Sequence, residues 1–117
     1  MIRIKRVYCE ANRRDGARIL VDRIWPRGIS KEQASLAAWR KDLAPSSSLR
    51  KWFGHDPAKW EVFKMRYRKE LSSAEPKEAL KELAVLSRRK TITLLYGAAD
   101  EKHNQAVVLK EFLEELA

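Results

Sequence analysis

The sequence predicts an α/β fold: a compact single domain, residues 1–117, with a small, at least partly parallel sheet and several packed helices. Three observations carry that expectation. β-favouring runs stand near the start of the chain and again at Thr91–Tyr96, helix starts with recognisable caps lie between and after them, and 44% hydrophobic residues in 117 supply one core. A chain of this size buries roughly two-thirds of the surface its unfolded form exposes, so it needs no disulfide or structural metal.

The first strand is read at Ile2-Arg3-Ile4-Lys5-Arg6-Val7, where apolar and charged residues alternate, with Tyr8-Cys9 extending the run. Glu10 to Gly16 carries Asn, Asp and Gly and reads as a polar loop. Arg18 to Val21 is the next extended segment, a strand or an extended core-crossing loop, before Pro26 and Gly28 punctuate the chain. Ser30 and Gln33 have the spacing of a capping box, which predicts a short helix from about Lys31. Pro45 and the serines after it cap a second short helix, Leu49 to Phe53, closed by Gly54.

Asp56-Pro57 starts a third helix, with proline where its missing N–H costs little and with Trp60, Phe63, Tyr67 and Leu71 on one side. Glu75-Pro76 opens a fourth, carrying Leu80, Leu83 and Leu86 and ending at Arg88-Arg89-Lys90, where positive charge suits the helix dipole. Thr91-Ile92-Thr93-Leu94-Leu95-Tyr96 is the strongest strand signal. Gly97 to Asp100 then turns the chain into a last helix with Val108, Leu109, Phe112, Leu113 and Leu116 on its buried side. Asp100 is expected to cap that helix rather than act as an acid.

Charge is unevenly placed. The net charge is +9, and residues 1–74 hold 18 Lys or Arg against 8 Asp or Glu, whereas residues 75–117 hold 7 against 8. The excess suits anionic partners, small or polymeric, and also serves solubility. No apolar run reaches membrane-span length and no signal-peptide pattern follows Met1, so the expected location is cytoplasmic, with no membrane partner. The lone Cys9 and two separated histidines offer no metal-ligand spacing, and no Walker or dinucleotide glycine motif is present, so neither metal nor cofactor is expected.

Two segments could carry a site. Asp22-Arg23-Ile24-Trp25-Pro26-Arg27-Gly28 brings two guanidinium groups, able to clamp phosphate or carboxylate, beside an indole that can stack on a planar group. Asp22 either holds Arg23 or Arg27 in position or neutralises an internal arginine. Leu94 to Asn104 sends a strand into a loop and helix, the place where open α/β sheets bind ligands. There Gly97 permits close backbone approach, Tyr96 offers a phenol, and Asn104 both donates and accepts.

Cys9 is a tempting nucleophile, but the position where a Cys-x5-Arg phosphate cradle needs arginine is Asp15, so the thiol reads as a small, partly buried side chain. His55, before Asp56-Pro57, reads as a turn residue. Trp52 and Trp60 belong to apolar stripes, while Trp25 and Trp39 are open to either packing or stacking.

These residues resemble a known family. Gly16-Ala-Arg-Ile-Leu-Val-Asp-Arg-Ile-Trp-Pro-Arg-Gly28, Trp39-Arg-Lys-Asp-Leu-Ala-Pro-Ser46, Leu49-Arg-Lys-Trp-Phe53, Phe63 with Tyr67, Glu70 and Leu71, and Leu94-Leu-Tyr-Gly97 with His103-Asn104 are similar to the small, YeaO-like branch of the domain-of-unknown-function 488 family. The resemblance spans nearly the whole chain and implies an intracellular α/β domain with no assigned reaction. Longer relatives carry cysteine where this chain has Tyr96 and a Cys-His-Arg stretch at Asn104-Gln105-Ala106. Small-branch sequences often have Asn-His where this one has Asn104-Gln105.

The leading expectation is therefore a cleft for a phosphate- or carboxylate-bearing ligand where Arg23 to Arg27 approaches Tyr96, Gly97 and Asn104. Asp22 or Asp100 would be the carboxylate if a proton moves, and whether a reaction follows binding is left open. The alternative is a basic module for nucleic acid or a protein partner, without catalysis.

Overall fold

The computed structural model describes residues 1–73 and 75–117 in full. Four strands form one sheet: β1 (Ile2–Arg6), β2 (Ala17–Leu20), β3 (Ala38–Trp39) and β4 (Ile92–Tyr96), in the order β1-β4-β2-β3 with every pairing parallel. Five helices accompany them: α1 (Lys31–Ala34), α2 (Ser47–Phe53), α3 (Trp60–Leu71), α4 (Ala74–Arg89) and α5 (Gln105–Leu116). The α/β architecture is as the sequence predicts, and the sheet is parallel throughout.

The last strand in sequence lies between the first two, with Ile4 paired to Leu94 and Ile19 to the other side of Leu94. All five residues of β4 are buried. A central parallel strand covered on both faces reads as a continuous apolar run rather than an alternation, which is why this segment gave the clearest signal. Ile92, Leu94 and Tyr96 join Ile19 and Val21 under α2 to α5, while Leu95 joins Leu20 and Val7 on the opposite face, covered by Ala34, Trp25, Ile29, Leu36 and Trp39.

Local chemistry fixes the helix ends. Ser30 and Gln33 form the predicted capping box, and Ser46 accepts from the Leu49 N–H. Asp56 caps a 3-10 turn, Pro57–Lys59, by accepting from the Ala58 N–H, and α3 itself begins only at Trp60, later than the Asp56-Pro57 start the sequence predicts. β3 is an addition that the sequence did not reveal: two residues have little periodicity of their own, and Ala38 and Trp39 are extended because they pair with Ile19 and Leu20. β1 is also shorter than its β-favouring run, ending at Arg6 before a turn.

The Glu10 to Gly16 segment is less polar in its packing than in its composition. Asp15 is buried, accepting from the Asn12 N–H, the Lys5 ammonium and the Arg18 guanidinium, while Arg18 Nε also donates to the Ala34 carbonyl. Burial pushes the Asp15 carboxyl up, but its hydrogen bonds and the Lys5 charge outweigh this, leaving it below the ordinary range. The internal arginine is thus Arg18, and Asp15 neutralises it. Gly16 adopts φ 63°, and a Cβ there would lie 2.1 Å from the Thr91 carbonyl oxygen, so the approach to β2 requires glycine. Cys9 is exposed rather than partly buried, because it follows the end of β1.

Candidate functional site

All four strands point their carboxyl ends the same way, so the segments after β1, β2 and β4 meet at one edge of the sheet. They enclose a cleft of about 500 Å³. Its floor is Asp22 with Gly97 and Ala98, one wall is Arg23 to Arg27, and the facing wall is the end of α2 with Arg50, Lys51, Phe53, Gly54 and His55. Asn104 and Gln105 at the start of α5 close the back, and Tyr8 stands at the rim, donating to the Arg27 carbonyl at 2.7 Å.

The Asp22 carboxylate is fixed from two elements. One oxygen accepts from the Gly97 N–H at 2.9 Å, the other from the Gln105 side chain, and its backbone carbonyl receives the Trp39 indole N–H at 2.7 Å. A Cβ at Gly97 would lie 2.8 Å from an Asp22 oxygen, so glycine makes this contact possible. Burial pushes the Asp22 carboxyl up to about 6; the Gly97 and Gln105 hydrogen bonds and the nearby His55 and Arg50 charges pull the other way. Among the described residues no ion pair involves Asp22, so it neither holds Arg23 nor Arg27 nor serves the internal arginine.

Arg23 lines the cleft, but its guanidinium donates to the Pro45 carbonyl at 2.7 Å and reaches that of Ala44 at 3.5 Å. It ties the wall to the segment before α2. Arg27, Arg50 and Lys51 are exposed cations of the rim. Trp25 packs edge-on against Trp39 at 5.2 Å and donates to the Ile29 carbonyl, so both open tryptophans serve packing.

The second segment divides. Gly97 and Asn104 line the cleft, whereas Tyr96 and Asp100 do not. Tyr96 shares the parity of Ile92 and Leu94 and is turned into the main core, where burial raises its phenol above the ordinary value. Asn104, not Asp100, caps α5: its side-chain oxygen accepts from the Ala106 and Val107 N–H groups, and its amide donates to the Asp100 carbonyl. Those helix N–H groups are therefore engaged. Asp100 instead organises the loop, accepting from the Lys102 and His103 N–H groups and facing His103 Nδ1 at 2.8 Å. These hydrogen bonds, led by that from Lys102, hold its carboxyl below the usual range.

Sequence reasoning missed Arg50, Lys51, His55 and Gln105 as cleft residues. Arg50 and Lys51 lay within the resembling Leu49–Phe53 motif, and Gln105 was already marked as the residue standing where imidazole is frequent. His55 gave no such signal; it takes φ 57° directly after the α2 cap. No three His, Cys, Asp or Glu side chains gather as metal ligands among the described residues, and no helix is long and apolar enough to cross a membrane.

These features define a small basic α/β domain with a cation-rimmed cleft at the carboxyl edge of a parallel sheet. The chain belongs to the family described as the inactive DUF488-N3 subclade, whose model matches residues 1–117. It is 42% identical over 115 residues to uncharacterized protein YeaO of Escherichia coli, covering 98% of each chain. It is 39% identical over 112 residues to uncharacterized protein Rv3073c of Mycobacterium tuberculosis, covering 96% of this chain and 92% of that one. No solved structure matches.

Proposed function

We propose that this chain binds a small phosphate- or carboxylate-bearing molecule in the cleft beyond β2 and β4, and that it does so without turnover. The observation that carries this reading is the charge of the lining: Arg23, Arg27, Arg50 and Lys51 stand around one carboxylate, Asp22, in a cleft of metabolite size. Arg27 and Arg50, on facing walls, neutralise the ligand, and the Phe53–Phe63 pair, stacked at 4.2 Å, gives the cleft an apolar side.

Asp22 fits hydrogen-bond donors on the ligand, since each of its oxygens keeps accepting capacity beyond the Gly97 and Gln105 contacts. The family description as an inactive subclade supports binding without turnover.

A thermal-shift screen against nucleotides, sugar phosphates and organic acids tests the reading. A ligand at a hundredfold excess over its Kd stabilises the folded chain by about 2.7 kcal/mol, a shift of several degrees. Arg27→Ala/Arg50→Ala should fold normally and lose most of that response. Equal shifts in both proteins, or none in the native chain, refute the site.

A further inference from the structure

The opposite end of the sheet carries a second concentration of charge. Where β1, β2 and β4 begin, Arg3, Arg13, Arg14, Arg88, Arg89 and Lys90 are all exposed. The backbone draws their segments together: the Met1 ammonium donates to the Ser87 carbonyl and reaches that of Lys90, the Met1 carbonyl accepts from the Ile92 N–H, and the Thr91 carbonyl accepts from the Ala17 N–H. Arg3 reaches across to the Arg14 carbonyl at 3.2 Å.

Little opposes this charge. None of the six residues takes part in an ion pair among the described residues. The sequence has no acidic residue from 83 to 99 or from 1 to 9. Asp15, close by in sequence, is buried against Lys5 and Arg18, and Glu10 stands at the margin, its carbonyl held by Lys5. The helix dipole explains a preference for cations at the end of α4, but not the arginines that two other segments bring beside them.

We propose that this amino-terminal end of the sheet docks the phosphate backbone of duplex nucleic acid, without reading its sequence. Five of the six side chains are arginine, whose planar fork matches phosphate oxygens with paired hydrogen bonds. No tryptophan, tyrosine or phenylalanine lies within residues 83–91 or 9–16, so the patch lacks the stacking platform that single strands use, and it favours backbone contact with a duplex. The same lack of aromatic anchors weighs against a membrane surface. This surface is separate from the cleft and does not depend on its ligand.

The test is fluorescence anisotropy of a labelled 20-base-pair DNA duplex of mixed sequence, with the chain 1–117 free of any tag at Met1, from 50 to 200 mM salt. Affinity should fall along a log–log line whose slope is about −0.9 per phosphate contacted. Arg13→Gln/Arg14→Gln/Arg88→Gln/Arg89→Gln should keep the native Tm, bind at least tenfold more weakly at 50 mM salt, and flatten the slope by roughly 3. If that fourfold change lowers Tm, the Arg13/Arg14 and Arg88/Arg89 pairs are measured separately, each expected to remove about half of the slope change. Arg27→Ala/Arg50→Ala should bind the duplex as the native chain does at 200 mM salt, where the cleft charges are screened from the patch. No duplex binding at 50 mM salt, unchanged binding by the folded arginine variants, or retention on vesicles with 30% phosphatidylserine but not on the duplex would overturn the proposal.

Discussion

At the residue scale, Gly97 and Asp22 form one unit. The 2.8 Å gap between a Cβ at position 97 and Asp22 Oδ2 leaves no room for alanine, with Pro26 Cβ a further 3.5 Å neighbour. Gly97→Ala should therefore cost about 1–3 kcal/mol in urea unfolding, the range of overpacking, and should abolish the response to any cleft ligand. Because the strain is directed at one carboxylate, adding Asp22→Ala should recover part of the loss, a non-additivity expected only of touching residues. Strict additivity would place the clash elsewhere.

Asp22 also sets a pH signature. Its carboxyl titrates near 3.8 in the unfolded chain and near 6 in the folded one, so between those values the folded state holds a proton that the unfolded state lacks. The stabilising contribution is complete below about pH 4 and is lost as pH rises through about 6, with a ceiling of about 3 kcal/mol. Asp22→Asn should remove this slope and gain stability relative to the native chain near pH 7, with Gln105 turning its amide to present oxygen to the new donor. Anion affinity follows the same proton: acidification from pH 7 to 5 should tighten binding in the native chain more than in Asp22→Asn. Parallel pH profiles for the two proteins would show that Asp22 does not titrate in this interval.

Among the elements, α5 shows what local sequence reveals and what it hides. Asn104 satisfies two N–H groups at the helix start while itself buried, so Asn104→Ala should cost about 1–2 kcal/mol and lower Tm by several degrees. Asp100→Ala touches only the preceding loop and should leave Tm closer to native; the reverse order would restore Asp100 as the cap. Both residues have capping chemistry, and sequence alone could not choose between them. Ser30, Ser46 and Asp56 were legible because one side chain meets a backbone two or three residues away. β3 was not, because its pairing is tertiary, and neither was Asp15, whose inward turn depends on Lys5 and Arg18. At the site, Asp22 to Arg27, Gly97 and Asn104 flank strand ends and were readable. Arg50 and His55 arrive through the packing of α2, and Tyr96 was misplaced although its parity with Ile92 and Leu94 already pointed it into the core.

For the whole molecule, a parallel sheet separates its two charged ends by its own length. Five residues of β4 at about 3.3 Å each put the amino-terminal arginines about 16 Å from the cleft floor. That distance is about two Debye lengths at 0.15 M salt but only half of one at 0.01 M. The sheet lies between the ends, and α5, which starts at the cleft, packs on α4, which carries Arg88 and Arg89; coupling between the two ligands should be electrostatic. A small dianion from the thermal screen, saturating the cleft, should leave the duplex Kd unchanged within about twofold at 0.15 M salt. At 0.01 M salt each charge pair across the sheet is worth about 0.15 kcal/mol even in water, and a dianion opposes several phosphates, so the same ligand should weaken duplex binding severalfold. Arg27→Ala/Arg50→Ala, which removes the same two charges, should itself bind the duplex severalfold more weakly at 0.01 M salt, match the native chain at 0.15 M, and show no further effect of the dianion at either. Strong competition that persists at 0.15 M would mean that both anions use one surface, and the separation of the two ends would be wrong.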